Sequence, residues 1–282
     1  MSGSLRDVLM GAVPRLRHEP TAKRVRAVLD GETVVDTRRA LLVWEPRRVV
    51  ASWAVPEEDL AGTLRGVARV GLAGEGLGHA MPDVSRRPVL DPSIPFAAHT
   101  TEGSALDVEV GGRVLPAAAF RADDPDLAGY VVLDFAAFDE WWEEDARNLA
   151  HPRDPFHRID VLPSSRTVRL EIDGTELATS RRPTLLFETM LPTRFYLRPE
   201  EVAVPLLPSP TTSTCAYKGQ ASYYSASVGG AELRDLAWTY EHPLAEAAGV
   251  TGLIAFFDER IDVVLDGERR PRPVTPWSHG PR

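Results

Sequence analysis

The chain has 282 residues and a mass of 31.0 kDa, a size that suits one large domain or two of about 140 residues each. It carries 41 acidic and 32 basic side chains, and the formal charge of −9 argues against broad binding to nucleic-acid phosphates. The single cysteine, Cys215, excludes an internal disulfide framework and a zinc site of four cysteines or of two cysteines and two histidines, and no apolar run is long enough to span a membrane.

The N-terminal segment, residues 1–20, is interpreted as a tail. It lacks the apolar stretch of a secretory signal, so we expect a soluble, cytoplasmic protein. A first domain is expected over residues 21–150. Near its start Asp30-Gly31 lies between short runs of Val and Leu and predicts a two-residue β-hairpin, because glycine accepts a positive φ. Residues 61–98 are interpreted as an insert, and its glycine-rich loop, Gly71–Gly78, lacks the ending of a phosphate-binding loop.

One helix is predicted, at the end of the first domain. Five apolar side chains follow Asp134, a residue type that caps helix N-termini, and their helical spacing predicts a helix over about 135–149. They are Phe135, Phe138, Trp141, Trp142 and Leu149. Residues 151–165 begin with a proline-rich, polar run and are interpreted as a linker.

A second domain is expected over residues 166–277, followed by a tail over residues 278–282. Asp173-Gly174 and Asp266-Gly267 predict two further hairpins of the same kind. The apolar run from Val250 to Phe257 has the length and composition of a buried strand. The sequence therefore predicts a mainly β fold with one connecting helix.

An internal repeat relates the two expected domains. Residues 25–58 match residues 168–201 without a gap, at an offset of 143 and with 11 identities in 34 positions. Further along, His99 to Gly103 falls against Cys215 to Gly219 at an offset of 116. We infer two tandem copies of one fold, the first with 27 extra residues between Leu60 and His99.

Each copy also contains an arginine pair, Arg38-Arg39 or Arg181-Arg182. In each, a glutamate, Glu45 or Glu188, follows six residues after the second arginine. We interpret the arginine pairs as exposed at a sheet edge.

Residues 212–224 concentrate unusual side chains, since they hold the only cysteine, one of two lysines and three of six tyrosines. The stretch Cys-Ala-Tyr-Lys-Gly-Gln-Ala-Ser-Tyr-Tyr at 215–224 is followed by Trp-Thr-Tyr-Glu-His-Pro-Leu at 238–244 and by an apolar strand after Gly252. This pattern resembles the bacterial domain-of-unknown-function 427 family over residues 166–270. Through the repeat, the whole chain resembles the tandem two-copy members.

The resemblance implies a fold rather than a reaction. The family's fold is similar to the β-tent group, and the zinc that related folds often carry is not expected here because the chain has one cysteine. The family also has a nucleotidyltransferase label. The chain departs from the family pattern at Ala216, where the family typically has proline, and in the first copy, where His99 and Glu102 occupy the Cys and Lys positions.

The leading hypothesis is a small-molecule site, for binding or catalysis, around Lys218 and Cys215. A desolvated lysine among aromatic side chains can act as a base, a nucleophile or a clamp for an anion. If equivalent loops of the two repeats face each other, His99 and Glu102 complete the catalytic set. The expected ligand-binding side chains are Tyr217, Tyr223, Tyr224, Trp238 and Tyr240. The competing interpretation is that Lys218 extends to water from a packed strand while Cys215 is a buried apolar residue.

Two other functions stay open. One is a non-catalytic protein–protein interaction module with exposed aromatic side chains. The other is a magnesium-dependent nucleotidyltransferase, although Asp107 and Glu109 follow Gly103-Ser104 too closely for the usual metal-binding pattern, and an acidic run at 123–126 is interpreted as a turn. We expect no cofactor, no bound metal and no nucleic-acid or membrane partner. The expected state is a monomer with an internal pseudo-dimer, or a homodimer.

Overall fold

β-Strands are the main secondary structure of the molecule, as predicted. A computed structural model describes residues 2–70, 76–85 and 87–279, and the chain divides into a first unit, Met1–Asp154, and a second unit, Pro155–Arg282. Within those described ranges no helix is long and apolar enough to cross a membrane. The prediction of a mainly β fold is confirmed.

The first unit begins with a short helix, α1 (Leu5–Met10), and continues with strands. They are β1 (Arg17–Pro20), β2 (Val25–Leu29), β3 (Glu32–Thr37), β4 (Leu41–Trp44), β5 (Ser52–Pro56), β6 (Thr63–Val70), β7 (Gly103–Val110), β8 (Arg113–Ala122), β9 (Tyr130–Leu133), β10 (Glu140–Glu143) and β11 (Ala146–Asn148). Short 3-10 helices cover Glu57–Asp59, Pro125–Leu127 and Phe135–Ala137. The strands form a seven-stranded sheet in the order β1-β4-β5-β9-β8-β7-β6 and a four-stranded sheet in the order β11-β10-β2-β3.

The second unit repeats this arrangement. Its strands are β12 (Ile159–Pro163), β13 (Val168–Ile172), β14 (Thr175–Ser180), β15 (Thr184–Glu188), β16 (Arg194–Leu197), β17 (Leu206–Cys215), β18 (Gly219–Val228), β19 (Ala231–Thr239), β20 (Ile254–Phe256), β21 (Asp262–Leu265) and β22 (Glu268–Arg269). Its 3-10 helices are Pro199–Glu201, Ala245–Val250 and Pro276–His279. Its sheets have the orders β12-β15-β16-β20-β19-β18-β17 and β14-β13-β21-β22. The first order matches the seven-stranded sheet of the first unit strand for strand, and the second matches the four-stranded sheet read from its other edge, β3-β2-β10-β11.

All three Asp-Gly hairpins form where the sequence predicts them. Asp30 and Gly31 have φ of 50° and 81°, and Asp173 and Gly174 have φ of 48° and 78°. Asp266-Gly267 has the same left-handed pair of conformations. Two successive positive φ values match the twist of the flanking strands, and this explains why Asp-Gly occurs at each turn.

The main core of each unit lies between its two sheets. In the first unit Trp53 of β5 and Trp141 of β10 are both 1% exposed and belong to one apolar cluster. In the second unit Leu170 of β13 packs in the same way with Phe195 of β16. Inward and outward side chains alternate along these strands, so the opposite face of each seven-stranded sheet is free to hold other groups.

Equivalent hydrogen bonds recur in both units. The Thr37 hydroxyl donates to Asp59 at 2.6 Å, and the Ser180 hydroxyl donates to Glu201 at 2.7 Å. The first pair is 22 residues apart in sequence and the second 21. The second unit therefore has one residue fewer between Ser180 and Glu201 than the first unit has between Thr37 and Asp59. The predicted gapless match over residues 168–201 is wrong by one position at its C-terminal end.

The predicted helix over 135–149 is wrong. Only the 3-10 helix Phe135–Ala137 forms, and Glu140–Glu143 is strand β10, paired with both β2 and β11. Trp141 points into the core, whereas the neighbouring Trp142 points outward against Arg26. The spacing of the apolar side chains is compatible with a helix or with a strand, and tertiary pairing with β2 selects the strand.

Several expected boundaries also shift. Strand β1 lies in the predicted tail over 1–20, and β12 lies in the predicted linker over 151–165. Strand β6 lies in the predicted insert over 61–98 but pairs with β7 as β17 pairs with β18, so the extra residues come after β6. Residues 71–75 of the glycine-rich loop are outside the described ranges. The predicted strand over 250–257 is shorter, since only Ile254–Phe256 is a strand.

Candidate functional site

Three polar side chains meet at one end of the seven-stranded sheet of the second unit. Glu188 is the last residue of β15, and Lys218 closes the short turn between β17 and β18. His157 precedes β12, which pairs with β15 so that Ile159 lies opposite Glu188. Strand pairing therefore brings His157 and Lys218 to the same carboxylate.

The carboxylate of Glu188 joins the other two groups. Its Oε2 accepts a hydrogen bond from Lys218 Nζ, and its Oε1 is 3.0 Å from His157 Nε2. The side chains of Lys218, Glu188 and His157 are 11%, 5% and 15% exposed. The imidazole of His157 also stacks on Tyr217, with ring centroids 4.3 Å apart. We call these three residues the Lys218 cluster.

The Lys218 cluster keeps Glu188 ionised. Burial alone would raise the pKa of this carboxyl group, but the charge of Lys218 and the hydrogen bonds from His157 and Lys218 outweigh that effect and lower the pKa to about 2. An ionised carboxylate only accepts hydrogen bonds, so His157 Nε2 is the donor in this pair. Lys218 is thus neither solvated nor unpaired, and the interpretation in which it extends to water is wrong.

Large aromatic side chains cover the outer face of the same sheet. Trp238 Nε1 donates to the Tyr196 hydroxyl at 3.1 Å, and Tyr240 lies 5% exposed on the same face. Burial raises the pKa of the Tyr196 and Tyr240 phenols, so both stay protonated at neutral pH. The charge of Glu188 adds to this rise in the pKa of both phenols, because the carboxylate lies near them.

Cys215 ends strand β17 beside the Lys218 cluster. The side chain is half-buried and is a free thiol, and its Sγ accepts the backbone N–H of Tyr217 at 3.5 Å. The thiol therefore lies at the base of the turn that presents Lys218.

The predicted tyrosines do not all reach this site. Tyr217 contacts His157, but Tyr223 stacks with Phe257 at 6.2 Å and bonds the Ser213 hydroxyl. Tyr224 faces the opposite side of the sheet and packs against the main core. The single strand β18 cannot direct neighbouring side chains to one face, so Tyr223 and Tyr224 do not line one pocket together.

His99 and Glu102 belong to the first unit. His99 Nδ1 is 2.9 Å from Glu45 Oε1, and the imidazole, 2% exposed, stacks on Phe120 at 3.8 Å. The other oxygen of Glu45 accepts the backbone N–H of Thr100 at 2.6 Å. Glu102 is exposed. The composite site that would join these residues to Lys218 stays a prediction.

The sequence alone does not indicate two of the functional candidates, Glu188 and His157. In the sequence Glu188 only follows an arginine pair, and His157 lies in the predicted linker. The repeat contained a usable signal, because Glu45 and Glu188 occupy the same position in both copies while the arginine pairs are exposed. Nothing local in the sequence indicates that His157 reaches β15.

Other predicted acidic residues have structural partners. Asp107 accepts the backbone N–H of Ala117 at 2.7 Å, and Glu109 pairs with Arg65 at 2.9 Å. Asp124 caps the 3-10 helix Pro125–Leu127 by accepting the Asp126 N–H. Across the described ranges, no group of three or more His, Cys, Asp or Glu side chains is arranged to hold a metal ion.

A comparison with known families gives a match over part of the chain. Residues 160–267 match the family described as a domain of unknown function (DUF427), which also has the label NTP_transf_9. No curated protein matches the chain. The matched range includes Glu188, Cys215 and Lys218 but begins three residues after His157. The family match therefore lies within the second unit and includes the Cys-x-Tyr-Lys-Gly segment that carries the resemblance.

Proposed function

We propose that the second unit binds a small molecule at the Lys218 cluster. The observation that carries this proposal is a lysine ammonium buried together with a carboxylate and an imidazole, beside a half-buried thiol. Buried ion pairs seldom stabilise a fold more than apolar side chains of the same size would. Strongly perturbed groups of this kind concentrate at functional sites.

The first unit supports the argument that the fold does not require the lysine. At the equivalent position Glu45 is satisfied by backbone N–H groups and by His99, without a lysine. The same fold therefore closes this end of the sheet in two ways. Only the second unit places a lysine ammonium on this carboxylate, and that ammonium can exchange its bond to Glu188 for a bond to a ligand.

The chemistry of the cluster favours an anionic ligand group. Lys218 can donate to a carboxylate or phosphate, while Glu188 holds the ammonium in place and His157 donates to Glu188. The groups able to react covalently are the Lys218 amine and the Cys215 thiol, which extend the proposal from binding to catalysis. Tyr217 would flank the ligand, with Trp238 and Tyr240 behind it. His99, already bonded to Glu45, is left out of this site.

The two alternatives have less support. An interaction module needs exposed aromatic side chains. The predicted Tyr217, Trp238 and Tyr240 are 4%, 7% and 5% exposed, and the exposed aromatic rings among the described residues of the second unit are Phe156 and Phe187 instead. Nucleotidyl transfer rests on the family label, since Asp107 and Glu109 are engaged in structural contacts.

The proposal is tested by a thermal-shift screen of a metabolite library, with and without Mg²⁺, on three proteins. They are the wild type, Lys218→Met and the matched control Lys23→Met, which removes the other lysine. Lys23 also pairs with a glutamate, Glu143, but its side chain is 44% exposed. A ligand at 100 times its Kd adds about 2.7 kcal/mol of stability.

We expect a ligand that raises the melting temperature of the wild type and of Lys23→Met but not of Lys218→Met. Equal shifts in all three proteins would place binding elsewhere and contradict the proposal. A nucleotide that requires Mg²⁺ would favour nucleotidyl transfer instead. If no compound binds, competitive acylation followed by mass spectrometry still compares the two lysines, and a Lys218 amine that reacts faster than Lys23 despite its burial would support a reactive role.

A further inference from the structure

A second candidate site lies on the other face of the same sheet. A cavity of about 300 Å³ opens beside strand β19, where Thr239 points away from the face that holds Trp238 and Tyr240. Its apolar wall includes Val202, Leu206 and Ile254. The cavity is formed by second-unit residues alone and does not include the Lys218 cluster.

The first unit has an ion pair at the equivalent position. Strand pairing makes Arg121 the counterpart of Thr239, because Phe120 and Trp238 lie opposite matching residues of β9 and β20. Arg121 donates two hydrogen bonds to Glu57, at 2.7 and 2.8 Å. Glu57 begins a 3-10 helix, as its counterpart Pro199 does in the second unit.

The second unit therefore has Thr239 and Pro199 where the first has a guanidinium and a carboxylate. Both replacements are smaller, and both line the cavity. A cavity therefore lies in the second unit at the position where the first unit has the Arg121–Glu57 ion pair. The side chains of the first unit thus indicate which chemical group fits the cavity of the second unit.

The charge at the rim of the cavity is negative. Glu241 lines it and is exposed, and its carboxylate has no ion pair or hydrogen bond with any residue in the described ranges. Tyr224 lines the same wall. An apolar wall, an aromatic ring and an unpaired carboxylate together suit a cation on a short hydrocarbon chain.

We propose that this cavity, which lies where the first unit has Arg121, binds a small alkylguanidinium. The alkyl chain would lie against Val202, Leu206 and Ile254, and the guanidinium would reach Glu241. A guanidinium is planar and weakly hydrated, pairs with a carboxylate through two N–H groups and stacks on aromatic rings, so it fits better than an ammonium of equal charge.

The test is an NMR titration of the full chain with three probes of similar length: n-butylguanidinium, n-butylammonium and 1-butanol. We expect saturable shifts of amides at Tyr224 and Gly252, and binding of the guanidinium at least about three-fold tighter than the ammonium and about ten-fold tighter than the alcohol. Equal binding of the alcohol, or no saturable shift up to tens of millimolar, would overturn the proposal.

Variants locate the site. Glu241→Gln, at an exposed position, should reduce guanidinium binding to the level of the alcohol, whereas Asp123→Asn at the equivalent position of the first unit should leave it unchanged. The double variant Thr239→Arg with Pro199→Glu rebuilds the first unit's ion pair and should abolish binding while the chain stays folded. Lys218→Met should have no effect, so failure here and failure of the proposed function are distinguishable. Binding that survives both Glu241→Gln and the double variant would contradict the proposal.

Discussion

Glu45 and Glu188 occupy the same position in two copies of one fold, yet they are satisfied by different groups. Glu45 accepts two backbone N–H groups and His99, all from the segment that follows the extra residues of the first unit. Glu188 accepts Lys218 and His157, which come from a turn and from the chain before β12. A buried carboxylate is thus a fixed requirement of this position, whereas its partners are free to diverge.

The outer faces of the two seven-stranded sheets diverge in the same way. Where the second unit has Tyr196, Trp238 and Tyr240, strand pairing places Ala54, Phe120 and Ala122 in the first. There Phe96 and His99 pack onto Phe120. The first unit fills with its own extra segment a volume that the second unit fills with hydroxyl-bearing aromatic rings. This difference supports a site in the second unit only.

Removing the carboxylate of the second unit should have the largest effect. Glu188→Ala leaves Lys218 buried without its counter-charge, and we expect a loss of about 3–5 kcal/mol in the free energy of unfolding. Urea denaturation measures it. The double variant Glu188→Ala with Lys218→Met should recover part of that loss. Additive losses in the double-mutant cycle would show that the two side chains do not interact.

The pH dependence of stability should reveal the same carboxylate. The folded-state pKa of Glu188, about 2, lies below its ordinary value of 4.5, so its contribution is complete above pH 4.5 and is lost as the pH falls toward 2. The difference corresponds to about 3 kcal/mol. Denaturant titrations at several pH values should show this acid-induced loss in the wild type and a smaller one in Glu188→Gln.

A second buried carboxyl group, that of Asp258, lowers the stability of the fold as the pH rises. Burial raises the pKa of Asp258 to about 7, so its unfavourable effect grows as the pH rises from 3.8 to 7. Asp258→Asn should therefore flatten the neutral part of the profile and leave the acid limb from Glu188 in place. If the loss of stability at low pH disappears in Asp258→Asn but persists in Glu188→Gln, that loss comes from Asp258 and its assignment to Glu188 is wrong.

In the first unit the equivalent change should be milder. Glu45→Ala removes the acceptor of two backbone N–H groups and an imidazole but leaves no unpaired lysine, and we expect a loss of about 2 kcal/mol. The same urea assay compares it directly with Glu188→Ala. Equal losses would show that the lysine in the second unit adds nothing to the requirement for this carboxylate.

The smallest effects should come from the hydrogen bonds that the two units share. Thr37→Val and Ser180→Ala each remove a hydroxyl that donates to a carboxylate and accepts the N–H of Arg39 or Arg182. We expect about 1 kcal/mol for each, because the local geometry is the same. Losses that differ several-fold would indicate that this shared contact has different surroundings in the two units.

The sequence predicts the local and repeated features of this fold better than its site. Asp-Gly pairs define three hairpins because the φ requirement is local, and the repeat indicates a shared fold because each copy carries its own core pattern. Trp141 and Trp142 show the limit of such reasoning, since their spacing suits a helix as well as a strand and pairing with β2 decides. The partners of Glu188 come from distant parts of the chain, so only the tertiary structure identifies them.

The matching strand orders have a consequence for folding. While the chain collapses, β12 can meet β15 or its counterpart β4, and both offer the same hydrogen-bonding pattern along one edge of a sheet. Tandem copies of one fold are prone to such mispairing. The two sets of strand partners are unequal, because the copies differ in sequence, the second has one residue less before β16, and the first has a long segment after β6. The differences that distinguish the proposed site of the second unit therefore also favour the pairing of each strand within its own unit.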